Sequence, residues 1–313
     1  MEKPSVAVVG LGAIGTVLAA ALLGNDPETM LVVRNARQRD EIRKDGITIT
    51  GQLNCRVQVK NLFDGLAGLK EKNPALILIC TKTFDLLPLL DCLKDVVGEN
   101  TRIVSTQNGL GTEDVIAARF GAGSVLRMSL NFGASLTGAC SAHVNFFNPP
   151  NHLGSLVSQN RNIGLMAARL FSNGGLYTEC VDDIKLHVWK KMIMKSTMAS
   201  ICAVTGKTIR QALELPATKE IADACFREAL AVARAMGWDI GCDYLTRATE
   251  YLEKVGVHKD SMCVDIANKT QTEIDFLGGK IVEYGRQTGV PTPHFATMTN
   301  LVRAMEQDYL RAS

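Results

Sequence analysis

The sequence predicts an α/β fold, a doubly wound parallel sheet followed by an all-helical C-terminal domain, and three observations support it. Short, wholly apolar runs rich in β-branched residues alternate with helical stretches through the first half. Each run ends in a polar or glycine-rich turn. Beyond about Val181 the strand signals fade and long stretches of helical periodicity take over. Strands that are apolar on both faces belong to sheets covered on both sides. At 313 residues the chain exceeds one average domain, and the change of character divides it into 1–182 and 183–313.

The first strand is Val6–Val9. It leads into Gly10-Leu11-Gly12-Ala13-Ile14-Gly15 and then an Ala/Leu-rich helix over Gly15–Leu23. A strand, a glycine-punctuated turn and a helix start in this order form a dinucleotide-binding turn. Gly10 allows the tight bend, Gly12 lets backbone approach a pyrophosphate, and Gly15 lets the helix pack closely on the sheet. The helix N-terminus then offers unpaired N–H groups and a positive dipole end to the anion. Met30–Val33 is the second strand. Leu76–Cys80 and Ile103–Ser105 are later ones, ending in the turns Thr81-Lys82-Thr83 and Thr106-Gln107-Asn108-Gly109. Ligands bind beyond the carboxyl ends of such strands, so these turns line the expected cleft. Helices are expected over Ile184–Val204, Lys219–Met236, Cys242–Val255 and a final segment to Leu310.

Composition narrows the function classes. Hydrophobic residues make up 46% and charged residues 21%, an ordinary globule with ample core. The net charge of +2, with no Lys/Arg block, gives no support to nucleic-acid or membrane-surface partners and leaves a small molecule. Val6–Leu23 is apolar enough to be mistaken for a signal peptide or membrane span. Its Val-to-Gly-to-Ala progression fits strand, turn and helix better, and a cytoplasmic location is expected. The nine cysteines are scattered without a CxxC pair or a His at metal spacing, which indicates reduced thiols and no metal site. An apolar helical domain leaves room for a homodimer interface.

The second strand points to the cofactor's identity. An acid at its end binds the adenosine ribose 2′-OH of NAD, whereas an Arg suits the 2′-phosphate of NADP. Here the chain reads Leu31-Val32-Val33-Arg34-Asn35-Ala36-Arg37, with no acid at the strand end. Arg34, with Arg37 nearby, favours NADP through charge-assisted hydrogen bonds; an ordinary exposed Arg after a strand is the alternative. Lys82 and Asn108 follow later strands, where the cofactor's middle and nicotinamide end would pass. Turn chemistry alone could also account for both.

Taken in order, the glycine turn, Lys82, Gln107-Asn108-Gly109, Trp189-Lys190-Lys191, Ser261-Met262 and Thr272-Glu273-Ile274-Asp275 resemble the ketopantoate reductase family over nearly the whole chain. The resemblance implies a Rossmann domain followed by a helical domain, and NADPH-dependent reduction of a 2-keto acid to a D-2-hydroxy acid, in the family's case within pantothenate biosynthesis. It implies Lys191 as general acid, Asn108 near nicotinamide and substrate, Ser261 on the substrate carboxylate, and Glu273 beside the cofactor and reacting centre. The chemistry is coherent. Hydride addition to a ketone builds negative charge on oxygen, so a cation with a transferable proton lowers the barrier. Apolar neighbours such as Trp189 and Met192 make an ammonium a better acid. Ser261 and Glu273 are twelve residues apart, roughly 18 Å along a straight helix. Both can reach one small substrate only if the helix breaks, and 268–272 (NKTQT) is poor in helix formers.

Three positions depart from the family's usual Asn: Lys195, Ala199 and His258. Lys191 and Lys195 lie one turn apart on a helix, where like charges are mildly destabilising. A bound anion would offset that repulsion, either cofactor phosphate or a substrate with a second acidic group, in which case Lys195 also binds substrate. A solvent-facing Lys195 is the alternative. The rival functions are an NAD-linked D-2-hydroxy acid dehydrogenase running towards oxidation and a non-catalytic NADP-sensing protein. Keeping Lys191, Ser261 and Glu273 together argues against the sensor, which needs none of them.

Overall fold

The structure, a computed structural model, describes residues 3–311. By mutual contact the chain forms two compact units, Met1–Gln107 with Thr112–Ile184, and Asn108–Gly111 with Lys185–Ser313.

The first unit runs β1 (Val6–Val9), α1 (Ala13–Leu23), β2 (Met30–Val33), α2 (Ala36–Asp45), β3 (Ile47–Gly51), β4 (Cys55–Val57), β5 (Asn61–Asp64), β6 (Leu76–Ile79), α3 (Leu86–Leu93), β7 (Arg102–Ser105), α4 (Thr112–Phe120), β8 (Val125–Ser129), β9 (Phe132–Gly138), β10 (Ser141–Phe147), β11 (Asn151–Ser155), α5 (Arg161–Asn173) and β12 (Thr178–Cys180). Eight strands form the main sheet in the order β12-β11-β8-β7-β6-β1-β2-β5. β1, β2, β6 and β7 are the strands read from the sequence, and every residue of β1, β2 and β6 is buried. The chain winds outward from β1 through β2 to β5 and then returns to place β6 on β1's other side. This is the topological switch point at which such sheets bind ligands.

Two features go beyond the expected parallel sheet. β11 runs antiparallel to β8, with His152 opposite Ser129, so the sheet is mixed. A second, four-stranded sheet, β4-β3-β10-β9, packs over α1. Ala142 and Val144 of β10 turn inward while Asn145 is exposed, a period-two pattern with one buried face. The second sheet explains the apolar N-terminus. α1 is covered on one side by the main sheet and on the other by β3, β9 and β10, and Gly15–Leu23 are all buried. A helix that is hydrophobic all round is a helix buried all round. No helix among the described residues is long and apolar enough to cross a membrane.

The second unit contains α6 (Ile184–Thr205), α7 (Ile209–Glu214), α8 (Pro216–Ala235), α9 (Tyr244–Val255), α10 (Ser261–Ala267), α11 (Gly278–Thr288) and α12 (Pro293–Leu310). Its core gathers Trp189, Met192 and Ile193 from α6, Phe226 from α8, and Phe295 and Val302 from α12. Tyr244 of α9 donates its hydroxyl to the carbonyl of Lys190, and burial pushes that phenol's pKa well above its usual value. All nine cysteines carry free thiols; burial pushes Cys80 up to about 12.

Candidate active site

In the first unit, the three glycines make different contacts. Gly10 has a φ of +91°, and a Cβ there would lie 3.0 Å from the Thr81 amide nitrogen. A Cβ at Gly15 would stand 1.9 Å from the Gly10 carbonyl oxygen and 2.9 Å from the Cys80 Cβ. Those two glycines therefore let α1 close against β1 and β6. Gly12 differs: apart from its own neighbours in the chain, nothing among the described residues lies within 4 Å of where its Cβ would be. It is the N-cap of α1, exposed, and no side chain caps the helix. No side chain takes up the first-turn N–H groups, the arrangement in which a helix N-terminus can receive an anion. Leu11 is buried and Ala13 and Ile14 are half-buried.

The other expected cofactor residues of this unit also follow strand ends. Arg34, just past β2, has a side chain 79% exposed, and its Nη2 lies 3.3 Å from Asp85 Oδ2. Arg37 pairs with Glu41 on α2. Lys82 opens the 3-10 turn Thr83–Asp85, and its carbonyl accepts from the Gln107 Nε2 at 3.3 Å. Beneath the turn after β7, the buried Arg127 guanidinium meets Glu113 at 3.2 Å and donates to the Ser105 carbonyl at 3.0 Å. Ser105 Oγ is 2.9 Å from Thr112 Oγ1, so both feet of the 106–111 segment are fixed.

In the second unit, α6 carries Lys191, Lys195 and Ala199 at successive i+4 positions on one face. Trp189 and Met192 are buried, and Trp189 packs against Tyr284 of α11 with ring centroids 5.7 Å apart. That anchorage fixes the helix about its axis. Lys191 Nζ donates to Asn108 Oδ1 at 2.8 Å across 83 residues of sequence. The Asn108 segment is held in turn by Leu110, whose N–H bonds the Phe276 carbonyl at 2.8 Å.

Lys195 is not solvent-facing. Its Nζ lies 2.6 Å from Asp260 Oδ2 and 2.8 Å from Ser261 Oγ. Asp260 also caps α10, its Oδ1 accepting from the Met262 N–H at 2.9 Å. The anion that offsets the Lys191–Lys195 repulsion is therefore a side chain of the protein, and the repulsion by itself no longer argues for a more anionic substrate. Burial pushes the Cys202 thiol up to about 12; the Asp260 carboxylate adds to that shift and Lys195 opposes it. Ala199 is fully buried and His258 half-buried.

The break expected between Ser261 and Glu273 is present. α10 stops at Ala267, Lys269 takes a positive φ of 55°, and Glu273, half-buried, precedes the 3-10 turn Ile274–Phe276. α12 pins the break, with Glu306 accepting from the Thr272 N–H and Tyr309 donating to the Thr270 carbonyl at 2.9 Å. The sequence reading missed Asp260, Asp85 and the Arg127–Glu113 pair. Asp260 had a local signal, an Asp directly before an apolar helical turn, which is a standard N-cap position. Nothing local pairs it with a lysine 65 residues away.

Comparison with known proteins decides the family. The sequence profile of "Ketopantoate reductase PanE/ApbA" matches residues 6–157, and that of "Ketopantoate reductase PanE/ApbA C terminal" matches 183–306. The chain belongs to the ketopantoate reductase family. Among its relatives, the 2-dehydropantoate 2-reductase of Streptococcus pyogenes serotype M18 is 26% identical over 301 residues, covering 96% of this chain and 97% of that one. The protein of the same name from Pyrococcus horikoshii is 28% identical over 309 residues, covering 96% of each chain. Among solved structures, a 2-dehydropantoate 2-reductase from Geobacter metallireducens superposes with a TM-score of 0.87 at 21% identity, covering 96% of this chain and 99% of that one. A D-mandelate dehydrogenase in a ternary complex with NADH and anilino(oxo)acetate gives 0.86 at 22%, covering 97% and 99%. Both share the ketopantoate reductase fold found here.

Proposed function

We propose that the protein reduces a 2-keto acid to the D-2-hydroxy acid with NADPH, residues 1–182 holding the cofactor and 183–313 the substrate and catalytic groups. The observation that carries this reading is the 2.8 Å contact between Lys191 Nζ and Asn108 Oδ1. It ties the family's general-acid position to the segment that follows β7, where a nicotinamide would pass. The first unit's residues fit a dinucleotide: an uncapped helix N-terminus, open space at Gly12, and Gly10 and Gly15 in close contact beneath.

When bound, the reduced nicotinamide supplies the hydride. Lys191 gives its proton to the ketone oxygen as charge builds there, and its remaining cationic character before transfer stabilises that charge. Asn108 accepts one ammonium N–H and so limits the directions the ammonium can take. Ser261 and Lys195 receive the substrate, and Glu273 orients the ammonium or hydrogen-bonds the new hydroxyl. Gly10 to Gly15, Arg34 and Lys82 hold the cofactor, with Arg34 on a 2′-phosphate. A cytoplasmic, homodimeric enzyme acting on a small-molecule substrate is consistent with this reading.

One observation favours a second reading, an NAD-linked D-2-hydroxy acid dehydrogenase. Asp85 lies beside Arg34, where a carboxylate can serve a ribose hydroxyl and partly cancels the guanidinium charge. The D-mandelate dehydrogenase of the same fold is bound to NADH. Turnover of ketopantoate, 2-ketoisovalerate, oxaloacetate and 2-ketoglutarate, followed by reduced-nicotinamide absorbance with NADPH and NADH in parallel, separates the two. The proposal expects NADPH to have the higher kcat/KM by about tenfold or more. A preference for NADH moves the assignment to the second reading. Tight cofactor binding without any turnover points to a sensor.

A further inference from the structure

We propose that Asp260 makes this site selective for monocarboxylic 2-keto acids: it neutralises Lys195 while holding its ammonium against Ser261, so that Lys195 and Ser261 together take one carboxylate. The proposal rests on the reading that Ser261 and Lys195 face the substrate, and it names the substrate class and the residue that sets it.

The donor count comes first. An ammonium has three N–H groups. Two of those on Lys195 are directed at Asp260 Oδ2 and Ser261 Oγ, at 2.6 and 2.8 Å, which leaves one. Ser261 accepts from Lys195, so its own O–H remains to be donated, and the residue is exposed. Two donors on neighbouring atoms match the two oxygens of a carboxylate, and one of them is charge-assisted.

The charge count comes second. The Lys195 side chain is 16% exposed and that of Asp260 6%. In such a setting a lone ammonium would attract any anion strongly, a dianion most. Paired with Asp260, Lys195 adds a directed donor to the site without adding net charge. Because the Lys195 charge is already balanced by Asp260, a second substrate carboxylate finds no uncompensated cation there to offset its loss of hydration. Asp260 is well fixed for this task, because its other oxygen is held by the Met262 N–H. It touches no substrate in this scheme; it is a positioning residue. Ala199, fully buried one turn beyond Lys195, offers no polar group for a substrate hydroxyl.

The test compares wild type with Lys195→Met, Lys195→Arg and Asp260→Asn, using 2-ketoisovalerate and 2-ketoglutarate in kinetics and in calorimetric titration of the cofactor-saturated protein. Asn caps a helix as well as Asp does, so Asp260→Asn keeps the α10 start. Thermal melting and cofactor titration establish that each variant is folded. Wild type is expected to prefer the monocarboxylate, and Asp260→Asn to shift the preference towards the dicarboxylate by about tenfold or more. Lys195→Met is expected to raise KM for 2-ketoisovalerate about 30-fold with a much smaller change in kcat, and Lys195→Arg to recover part of that loss. An unchanged mono-to-dicarboxylate ratio in folded Asp260→Asn overturns the proposal, as does an unchanged KM in Lys195→Met. If wild type turns over neither acid but binds 2-ketoisovalerate in a Lys195-dependent way, the reductase reading fails and the carboxylate site stands. If it binds neither acid, the proposal fails.

Discussion

The glycine turn of the first unit and the lysine face of the second are built on opposite principles. At Gly10–Gly15 the proposed cofactor site rests on withheld side chains: two glycines permit close backbone packing, the third leaves open space, and no side chain caps the helix. On α6 the proposed substrate site consists of side chains brought together from distant parts of the sequence, Lys191 with Asn108 and Lys195 with Asp260 and Ser261. A backbone-built site is encoded in a few consecutive residues. A side-chain site depends on the whole fold around it, and each of its members can be exchanged singly, which is where specificity can vary.

The comparison can be broken at several points. The largest effect is expected where the first unit departs from its own principle, at the buried Arg127–Glu113 pair. Glu113→Gln leaves the guanidinium without its counter-charge and should lower unfolding stability by about 4 kcal/mol in denaturant titration. A loss under about 1 kcal/mol would mean that the pair does not fix the feet of the 106–111 segment.

The glycines come next. Gly15→Ala sets a methyl group against the Gly10 carbonyl, and a cost of about 3 kcal/mol is expected by the same titration. Gly12→Ala meets no protein atom, so stability should change by less than about 0.5 kcal/mol while cofactor affinity drops about 20-fold in fluorescence titration. Equal behaviour of the two variants would contradict the division of labour between close packing and open space.

Arg34→Ala is a smaller perturbation, because the side chain is exposed. NADPH affinity should fall about tenfold with NADH affinity nearly unchanged. A parallel loss of both would remove the guanidinium from 2′-phosphate recognition. The smallest effect concerns the thiols. Cys92 and Cys242 are exposed, whereas burial holds Cys80 and Cys202 up at about 12. Thiol titration near neutral pH should label the first two in the native protein and the last two only after unfolding.

The same contrast governs how much the sequence revealed. β1 and β2 match their apolar runs residue for residue, because a strand buried on both faces needs no partner to declare itself. α1 starts at Ala13 rather than Gly15, since Gly15 serves packing inside the helix and not its beginning. The second sheet was not legible. β4 is short, β9 is mostly exposed along its length, and none of the sheet's strands is an apolar run throughout, so no single stretch carried the signal. On the lysine face, Lys191, Ser261 and Glu273 were singled out only through family resemblance. Lys195 stood out as an anomaly whose partner, Asp260, could not be inferred from spacing because it arrives on another helix.

The most direct test of the central claim is single-turnover reduction of the preferred 2-keto acid by Lys191→Met, with cofactor affinity measured on the same preparation. If Lys191 is the proton donor, the chemical step should slow by about a thousandfold while cofactor binding stays within about twofold of wild type. A rate within about tenfold of wild type in a folded, cofactor-binding variant would contradict it, and proton transfer would have to be assigned to another group.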